Sequence, residues 1–193
     1  MGIGLGSLVR RGVFALPVVF LVAAAAAAAG GRTDRLELAT ISNHGHGDVA
    51  VTRLMAAHLR RAGADPHGKI LAERNGKTFV QFARDGTGDC FAIEKEKAKQ
   101  FSFTCWDRFP SPDHPILDDS TFGANVGEPI HAIDIQGFTA DGVASIVVED
   151  AAGTALAVAP VVGNVYDLDY ASPSAVRLVA LAADGRPLFA VPR

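Results

Sequence analysis

The stretch CFAIEKEKAKQFSFTCW, residues 90–106, contains two apolar-rich runs, 90–94 and 101–106, on either side of a polar bend over 95–100. Two short runs of this kind joined by a polar bend predict an antiparallel hairpin. If the hairpin is centred between residues 97 and 98, Cys90 lies directly opposite Cys105, and Ala92 lies opposite Phe103. Opposed side chains have Cβ atoms about 4.5–5.5 Å apart, which is close enough for a disulfide. Since an isolated cysteine pair is typical of a disulfide in an oxidising compartment, we predict a Cys90–Cys105 bond.

A second hairpin is predicted immediately upstream of the first. The dipeptide Asn75-Gly76 separates the apolar runs 69–73 and 78–82. Asn-Gly is a strong hairpin signal, because both residues of a type I′ turn need a positive φ. A further turn at 85–88 leads into the cysteine hairpin, so this part of the chain is predicted to be a disulfide-bonded β-meander.

One short α-helix is predicted over residues 49–62. Its apolar residues recur at helical spacing, Asp48 is a suitable N-cap, and Gly63 suits the C-terminus. Upstream of the helix, the run 36–41 alternates weakly and predicts a short strand. Residues 32–106 are therefore expected to form one unit of a helix and β-hairpins.

The next segment, residues 107–127, is rich in proline. Pro110, Pro112 and Pro115 lie close together, and proline cannot donate a hydrogen bond to a β-ladder. We predict that 107–127 is a linker or a long covering loop.

The C-terminal part, residues 128–193, has regular turn punctuation between runs rich in Val, Ile, Leu and Ala. Short strands at roughly ten-residue spacing are typical of a sandwich or a barrel. The predicted strands are 130–138, 143–149, 155–159, 165–168, 175–182 and 188–191. The predicted fold is mainly β, with an Ig-like C-terminal β-sandwich packed with or linked to the N-terminal meander.

The first 29 residues resemble a targeting segment. Arg10 and Arg11 precede an apolar run over 13–29 that ends in three alanines, which matches the three parts of a signal peptide. The uncharged stretch 12–31 has 20 residues and is also long enough for an uncleaved membrane anchor. Both interpretations place the remaining chain outside the cytoplasm, secreted or anchored, because the two arginines stay on the cytoplasmic side.

The charge of the exported part bears on its partners. The leader holds two of the 18 basic residues and none of the 21 acidic ones, so the remainder has a net charge of −5. A mildly acidic chain of this kind is not expected to bind nucleic acid or anionic lipid as its main partner.

The segment His44-Gly45-His46-Gly47-Asp48 could carry chemistry. It resembles the H-x-H-x-D-H loop of metallo-β-lactamase-fold hydrolases, in which alternating histidines bind one metal and the aspartate a second. The last ligand is missing, because position 49 is Val. A polar, glycine-rich loop that caps a helix is the favoured interpretation, and His44, His46 and Asp48 remain candidate metal ligands.

Other groupings of polar residues are less specific. Asp113-His114 and Asp118-Asp119-Ser120 place Asp, His and Ser close in sequence, but no nucleophile-elbow pattern accompanies them. The acidic residues of the C-terminal part follow no calcium-loop spacing. We therefore predict no catalytic residue and no cofactor.

Cys90 and Cys105, followed by GFTADGVASIVVEDAAG (137–153) and APVVGNVYDLD (159–169), resemble a family of exported proteins of high-GC bacteria without a known activity. The resemblance covers residues 69–193 and implies an N-terminal membrane segment, a two-cysteine hairpin and a DGV-type β-module. It implies architecture and location, and no functional residue.

Two functions follow as hypotheses. The first is a non-enzymatic envelope protein that binds or senses an unknown envelope protein or cell-wall ligand, or has a structural role. The second is a small metal-dependent hydrolase built on His44, His46 and Asp48.

Overall fold

The computed structural model describes residues 32–49, 51–85, 88–95, 100–123, 131–172 and 177–192, so the predicted leader lies outside the described residues. Within these ranges, no helix is both long and apolar enough to cross a membrane. The same ranges contain α1 (Arg32–Glu37), β1 (His46–Val49), α2 (Arg53–Arg61), β2 (Gly68–Arg74), β3 (Lys77–Ala83), β4 (Asp89–Lys95), β5 (Gln100–Trp106), β6 (Ile116–Asp118), β7 (Thr121–Gly123), β8 (His131–Thr139), β9 (Ser145–Glu149), β10 (Ala155–Pro160), β11 (Val165–Ser172), β12 (Arg177–Leu181) and β13 (Pro187–Pro192). The prediction of a mainly β protein is confirmed.

The first five strands form an antiparallel sheet in the order β1-β2-β3-β4-β5, which we call the meander sheet. Its β2–β3 turn is the predicted Asn-Gly turn, with φ of 50° at Asn75 and 71° at Gly76. Arg74 and Lys77 are paired across it. The turn chemistry therefore predicted this hairpin correctly.

The β4–β5 hairpin has the predicted register. Cys90 is paired with Cys105 and Ala92 with Phe103, and all seven pairs follow without a bulge. A disulfide joins the two cysteines, whose Cα atoms are 4.0 Å apart. The disulfide prediction is confirmed.

Helix α2 covers one face of the meander sheet, but it begins later than predicted. Thr52, and not Asp48, is the N-cap: its Oγ1 accepts a hydrogen bond from the Met55 N–H at 3.2 Å. Asp48 instead lies in β1, opposite Lys69 of β2. Met55 and Leu59 pack against the sheet, in one apolar cluster with Val80, Phe82, Cys90 and Ala92.

The segment before β1 also differs from the prediction. Residues 32–37 form a helix, α1, that was not predicted, so the described residues contain two helices and not one. The predicted strand at 36–41 does not form. The Thr40 N–H bonds back to the Glu37 carbonyl, and the Asp141 carboxylate accepts from Thr40 Oγ1 at 3.0 Å and the Ser42 N–H at 2.8 Å. These local and long-range hydrogen bonds take the place of the strand pairing that was predicted for residues 36–41.

The proline-rich segment 107–127 is more than a linker or loop. Strands β6 and β7 lie within it and both pair with β8. Strand β6 begins at Ile116, directly after the last of the three clustered prolines, where the backbone can again donate to a ladder. The segment therefore contributes to the C-terminal β-structure.

The C-terminal strands form two sheets. The central sheet has the order β11-β8-β6, with β7 also paired to β8, and the outer sheet has the order β10-β9-β12-β13. All six predicted C-terminal strands are present, with ends shifted by a few residues.

The central sheet is a shared middle layer. One of its faces carries Ile135 and Tyr166, which pack with Ile146 and Leu178 of the outer sheet. Its other face carries Phe138, Leu117 and Val165, which pack with Phe79, Phe91 and Ile93 of the meander sheet. Helix α2, the meander sheet, the central sheet and the outer sheet thus form four successive layers. The Ig-like detail of the prediction is not confirmed, because the sheet facing the outer sheet also supports the meander.

Candidate functional site

The histidine loop lies at the edge of the meander sheet. His44 and His46 are both exposed, and His46 is paired with Ile70 in the β1–β2 ladder. Gly45 has a φ of 64°, and a Cβ at this position would lie 2.8 Å from the Ile70 carbonyl oxygen. Its N–H donates to the Asn43 Oδ1 at 3.2 Å. The glycine is therefore explained by a close backbone approach.

Asp48 is engaged in an ion pair. Lys69 Nζ lies 2.6 Å from Asp48 Oδ1, and this hydrogen bond and the lysine charge lower the pKa of Asp48. Across the described ranges, no group of three or more His, Cys, Asp or Glu side chains is positioned to hold a metal ion. Asp48 thus acts as a salt-bridge partner, and the loop offers a metal only the two imidazoles.

A buried ionic network, which we call the interlayer network, lies between the meander and central sheets. Lys77 Nζ donates to Asp167 Oδ1 at 2.6 Å and to Asp134 Oδ1 at 2.7 Å. Lys95 Nζ donates to Asp134 Oδ2 at 2.6 Å, and Asn75 Nδ2 donates to Asp167 Oδ2 at 2.7 Å. The side chains of Lys77 and Asp167 are 9% and 0% exposed.

The interlayer network satisfies its own charges. Two lysines face two aspartates, and each of the four carboxylate oxygens accepts a hydrogen bond. Burial works against ionisation of Asp134, but the bonds from Lys77 and Lys95 outweigh it and lower its pKa. Because every carboxylate oxygen accepts a hydrogen bond from the meander sheet or its β2–β3 turn, the network is suited to joining two layers.

The interlayer network was not predicted from the sequence. In the alternation of β3, Lys77 shares a face with Phe79 and Gln81, whereas Val80 and Phe82 share the other face. Alternation therefore assigns Lys77 to the more polar face of the strand and gives no sign that its charge is buried.

The Asp118-Asp119-Ser120 segment begins at the last residue of β6 and ends just before β7. Asp118 accepts hydrogen bonds from Ser120 Oγ and from the Tyr166 hydroxyl, and Asp119 accepts one from Ser102 Oγ. Burial raises the pKa of Asp119. These contacts tie the segment to the central sheet on one side and to β5 on the other.

The outward face of the outer sheet is apolar. Val158, Val147, Val179 and Ala190 are paired in one row across its four strands, on the face opposite to Ile146. Val147 and Val179 are buried within the row, whereas Val158 is 56% exposed. The Arg177–Glu149 ion pair lies beside the row, with Arg177 Nε 2.7 Å from Glu149 Oε2. This face, which we call the valine face, combines an apolar centre with a charged rim.

A cleft of about 330 Å³ lies between α1 and the β12–β13 hairpin. Its wall includes Leu38 and Leu188 as apolar residues and Glu37, Asp184 and Arg186 as charged ones. This volume is at the lower end of the range of about 300–1,000 Å³ that is usual for ligand pockets.

The fold and these surfaces define a disulfide-linked, layered β protein. No protein-family model, curated protein or solved structure matches the chain. The resemblance to exported proteins of high-GC bacteria therefore remains an expectation from the sequence.

Proposed function

We propose that this chain is an extracytoplasmic, non-enzymatic binding module of the cell envelope. Two features support the location: the leader expected over residues 1–29, and the Cys90–Cys105 disulfide, which is compatible with an oxidising compartment. Four packed layers and a buried ionic network support a rigid scaffold that presents a surface to a partner.

The valine face is the observation that carries the binding proposal. Val158 is exposed at the end of an apolar row, and Val162, just beyond β10, is 57% exposed. Exposed apolar surface that is rimmed by charge is typical of protein-binding sites. Since the described residues of this face include no exposed aromatic ring, an envelope protein fits it better than a cell-wall carbohydrate.

Site-specific photo-crosslinking in the native host tests this proposal. A photoreactive residue at Val158 of the full chain should give a discrete adduct with an envelope protein. The same residue at Arg60, which is exposed on α2 at the opposite side of the layers, is the control and should give none. Equal patterns from both positions, or no adduct from Val158, would remove the valine face as the binding surface.

A metal-dependent hydrolase is the second candidate. It is favoured by the exposure of both His44 and His46, which are within reach of an ion from solvent. The full chain, purified without a histidine tag, would be measured for bound metal beside its His46→Ala variant. Stoichiometric zinc that is lost in the variant, together with ester or lactam hydrolysis, would replace the binding proposal.

A further inference from the structure

Strand β5 forms an edge of the meander sheet and has unusual properties for an edge. It pairs with β4 on one side over all seven residues, without a bulge. Its sequence, QFSFTCW, contains no charged residue and no proline. Edge strands usually carry a charged residue, a proline or a bulge, because their open row of N–H and C=O groups is a template for pairing with another chain.

The other described edges do carry protective features. Strand β1 has a bulge and the Asp48–Lys69 ion pair. Strand β10 has a bulge and ends at Pro160, and β13 has a bulge and a proline at each end. Strand β11 has a bulge, and β6 and β7 have three residues each. Among the described edges, β5 alone is long, regular and uncharged.

The disulfide shows which backbone groups of β5 face outward. In an antiparallel ladder, Cα atoms are about 5.5 Å apart in hydrogen-bonded pairs and about 4.5 Å apart in the others. The 4.0 Å Cα separation of Cys90 and Cys105 identifies them as a pair that is not hydrogen-bonded to each other. The N–H and C=O of Cys105 therefore point away from β4, and by alternation those of Phe103 and Phe101 do so too. None of these groups has a hydrogen-bond partner among the described residues.

We propose that β5 pairs antiparallel with β5 of a second copy of this chain, about a two-fold axis at Phe103. Phe103 then pairs with Phe103 of the second copy, and Phe101 pairs with Cys105 of the second copy. In this register all the outward N–H and C=O groups at the three positions satisfy one another. The meander sheets of the two copies become one continuous sheet.

The chemistry of β5 favours a second copy as its occupant. The outward positions are symmetric about Phe103, as a closed two-fold interface requires. Ser102 lies opposite Thr104 of the second copy, so no like charges meet in the paired strands. The disulfide holds β5 in an extended conformation on β4 before pairing, which reduces the entropy lost on association.

Two charge variants of the full chain test both the dimer and its register. Ser102→Lys with Thr104→Lys places like charges opposite each other, whereas the matched control, Ser102→Lys with Thr104→Glu, places opposite charges there. Sedimentation equilibrium, in a mild detergent that keeps any uncleaved leader in solution, should find a dimer for the wild type and the control. The first variant should have half that mass. A monomeric wild type, or an unchanged dimer in the first variant, would overturn the proposal.

Hydrogen exchange of the wild type gives a second test that requires no substitution. In the dimer, the amides of Phe103 and Cys105 should exchange slowly, and dilution should accelerate them. The Thr104 amide points to β4 in either state and is the internal control. Exchange at Phe103 and Cys105 that is fast and independent of concentration would overturn the proposal even if the charge variants fail to fold.

Discussion

At the scale of single residues, Lys77 determines how two layers of the protein are joined. Its side chain is buried between the two sheets, and its ammonium group bonds two carboxylates of the central sheet. Removing one partner of a buried ion pair is strongly destabilising, because the other charge stays buried without compensation. The interlayer network is therefore a specific connection between the meander and central sheets.

Lys77→Met should lower the free energy of unfolding by about 3–5 kcal/mol, because it leaves the buried Asp167 carboxyl without its charged partner. Urea denaturation measures the change. The double variant Lys77→Met, Asp167→Leu should recover part of the loss. Lys69→Met removes an exposed lysine paired with Asp48 and serves as the control, with little change expected. Equal effects of Lys77→Met and Lys69→Met would contradict the importance of the network.

Two aspartates should give the stability opposite dependences on pH. The folded-state pKa of Asp134 is lowered, so its contribution is present above the unfolded pKa and is lost as pH falls through the folded pKa. Burial raises the pKa of Asp119, so its contribution is present below the unfolded pKa and is lost as pH rises through the folded pKa. Asp119→Asn should therefore raise the melting temperature at neutral pH and Asp134→Asn should lower it, with both differences shrinking in acid. Melting curves of both variants, recorded from neutral pH down to acid, measure these differences. A lower melting temperature for Asp119→Asn or a higher one for Asp134→Asn at neutral pH would contradict the two pKa directions.

The sequence revealed neither the burial of Lys77 nor its partners. Asp134 and Asp167 lie 57 and 90 residues away from Lys77 along the chain, and only the stacking of the two sheets brings them together. The histidine loop shows the reverse case. Its residue pattern suggested metal chemistry, whereas Asp48 is held by a lysine 21 residues away.

At the scale of elements, the hairpins were predictable because their information is local. Asn75-Gly76 dictates its own turn, and a hairpin centred between residues 97 and 98 places Cys90 opposite Cys105. The errors fell where local signals were weak. Asp48 was predicted as the N-cap, but it lies in β1, where it is paired with Lys69 of β2. Thr52 is the N-cap of α2. Strand β6 has only three residues, and it is stabilised by antiparallel pairing with β8, which lies far from it in sequence.

Reducing the Cys90–Cys105 disulfide should destabilise the protein. The bond links residues 15 apart, and for such a loop the chain-entropy contribution is about 3 kcal/mol. The melting temperature of the reduced protein should fall clearly below that of the oxidised protein. The Cys90→Ala, Cys105→Ala variant should melt close to the reduced protein and be insensitive to reductant. Unchanged stability after reduction would show that the bond is not a structural one.

At the scale of the whole molecule, the central sheet lies between two other sheets. The predicted β-sandwich requires that each sheet is covered on at least one face by the other. The central sheet is covered on both faces, whereas the valine face of the outer sheet is partly exposed. Which sheet took the middle position could not be read from the sequence, because all three are built from similar short strands.

The two faces of the outer sheet should respond differently to charge. Ile146 is fully buried between the outer and central sheets, so Ile146→Asp should prevent stable folding. Val158→Asp lies on the valine face and should change the free energy of unfolding by only about 0.5 kcal/mol. The same variant should abolish partner binding, because it puts a charge into the apolar row. Soluble expression and denaturation curves of both variants test this, and a severe loss from Val158→Asp would show that the valine face is covered within the folded chain.

The redox state of Cys90 and Cys105 in living cells tests most directly whether this is a disulfide-linked extracytoplasmic protein. Cells of the native host are quenched in acid, and free thiols are labelled under denaturing, non-reducing conditions. We predict that neither cysteine is labelled in the full chain, whereas both are labelled in a variant without residues 2–29, which stays in the reducing cytoplasm. Free thiols in the full chain, or the same oxidised state with and without the leader, would contradict the proposed export.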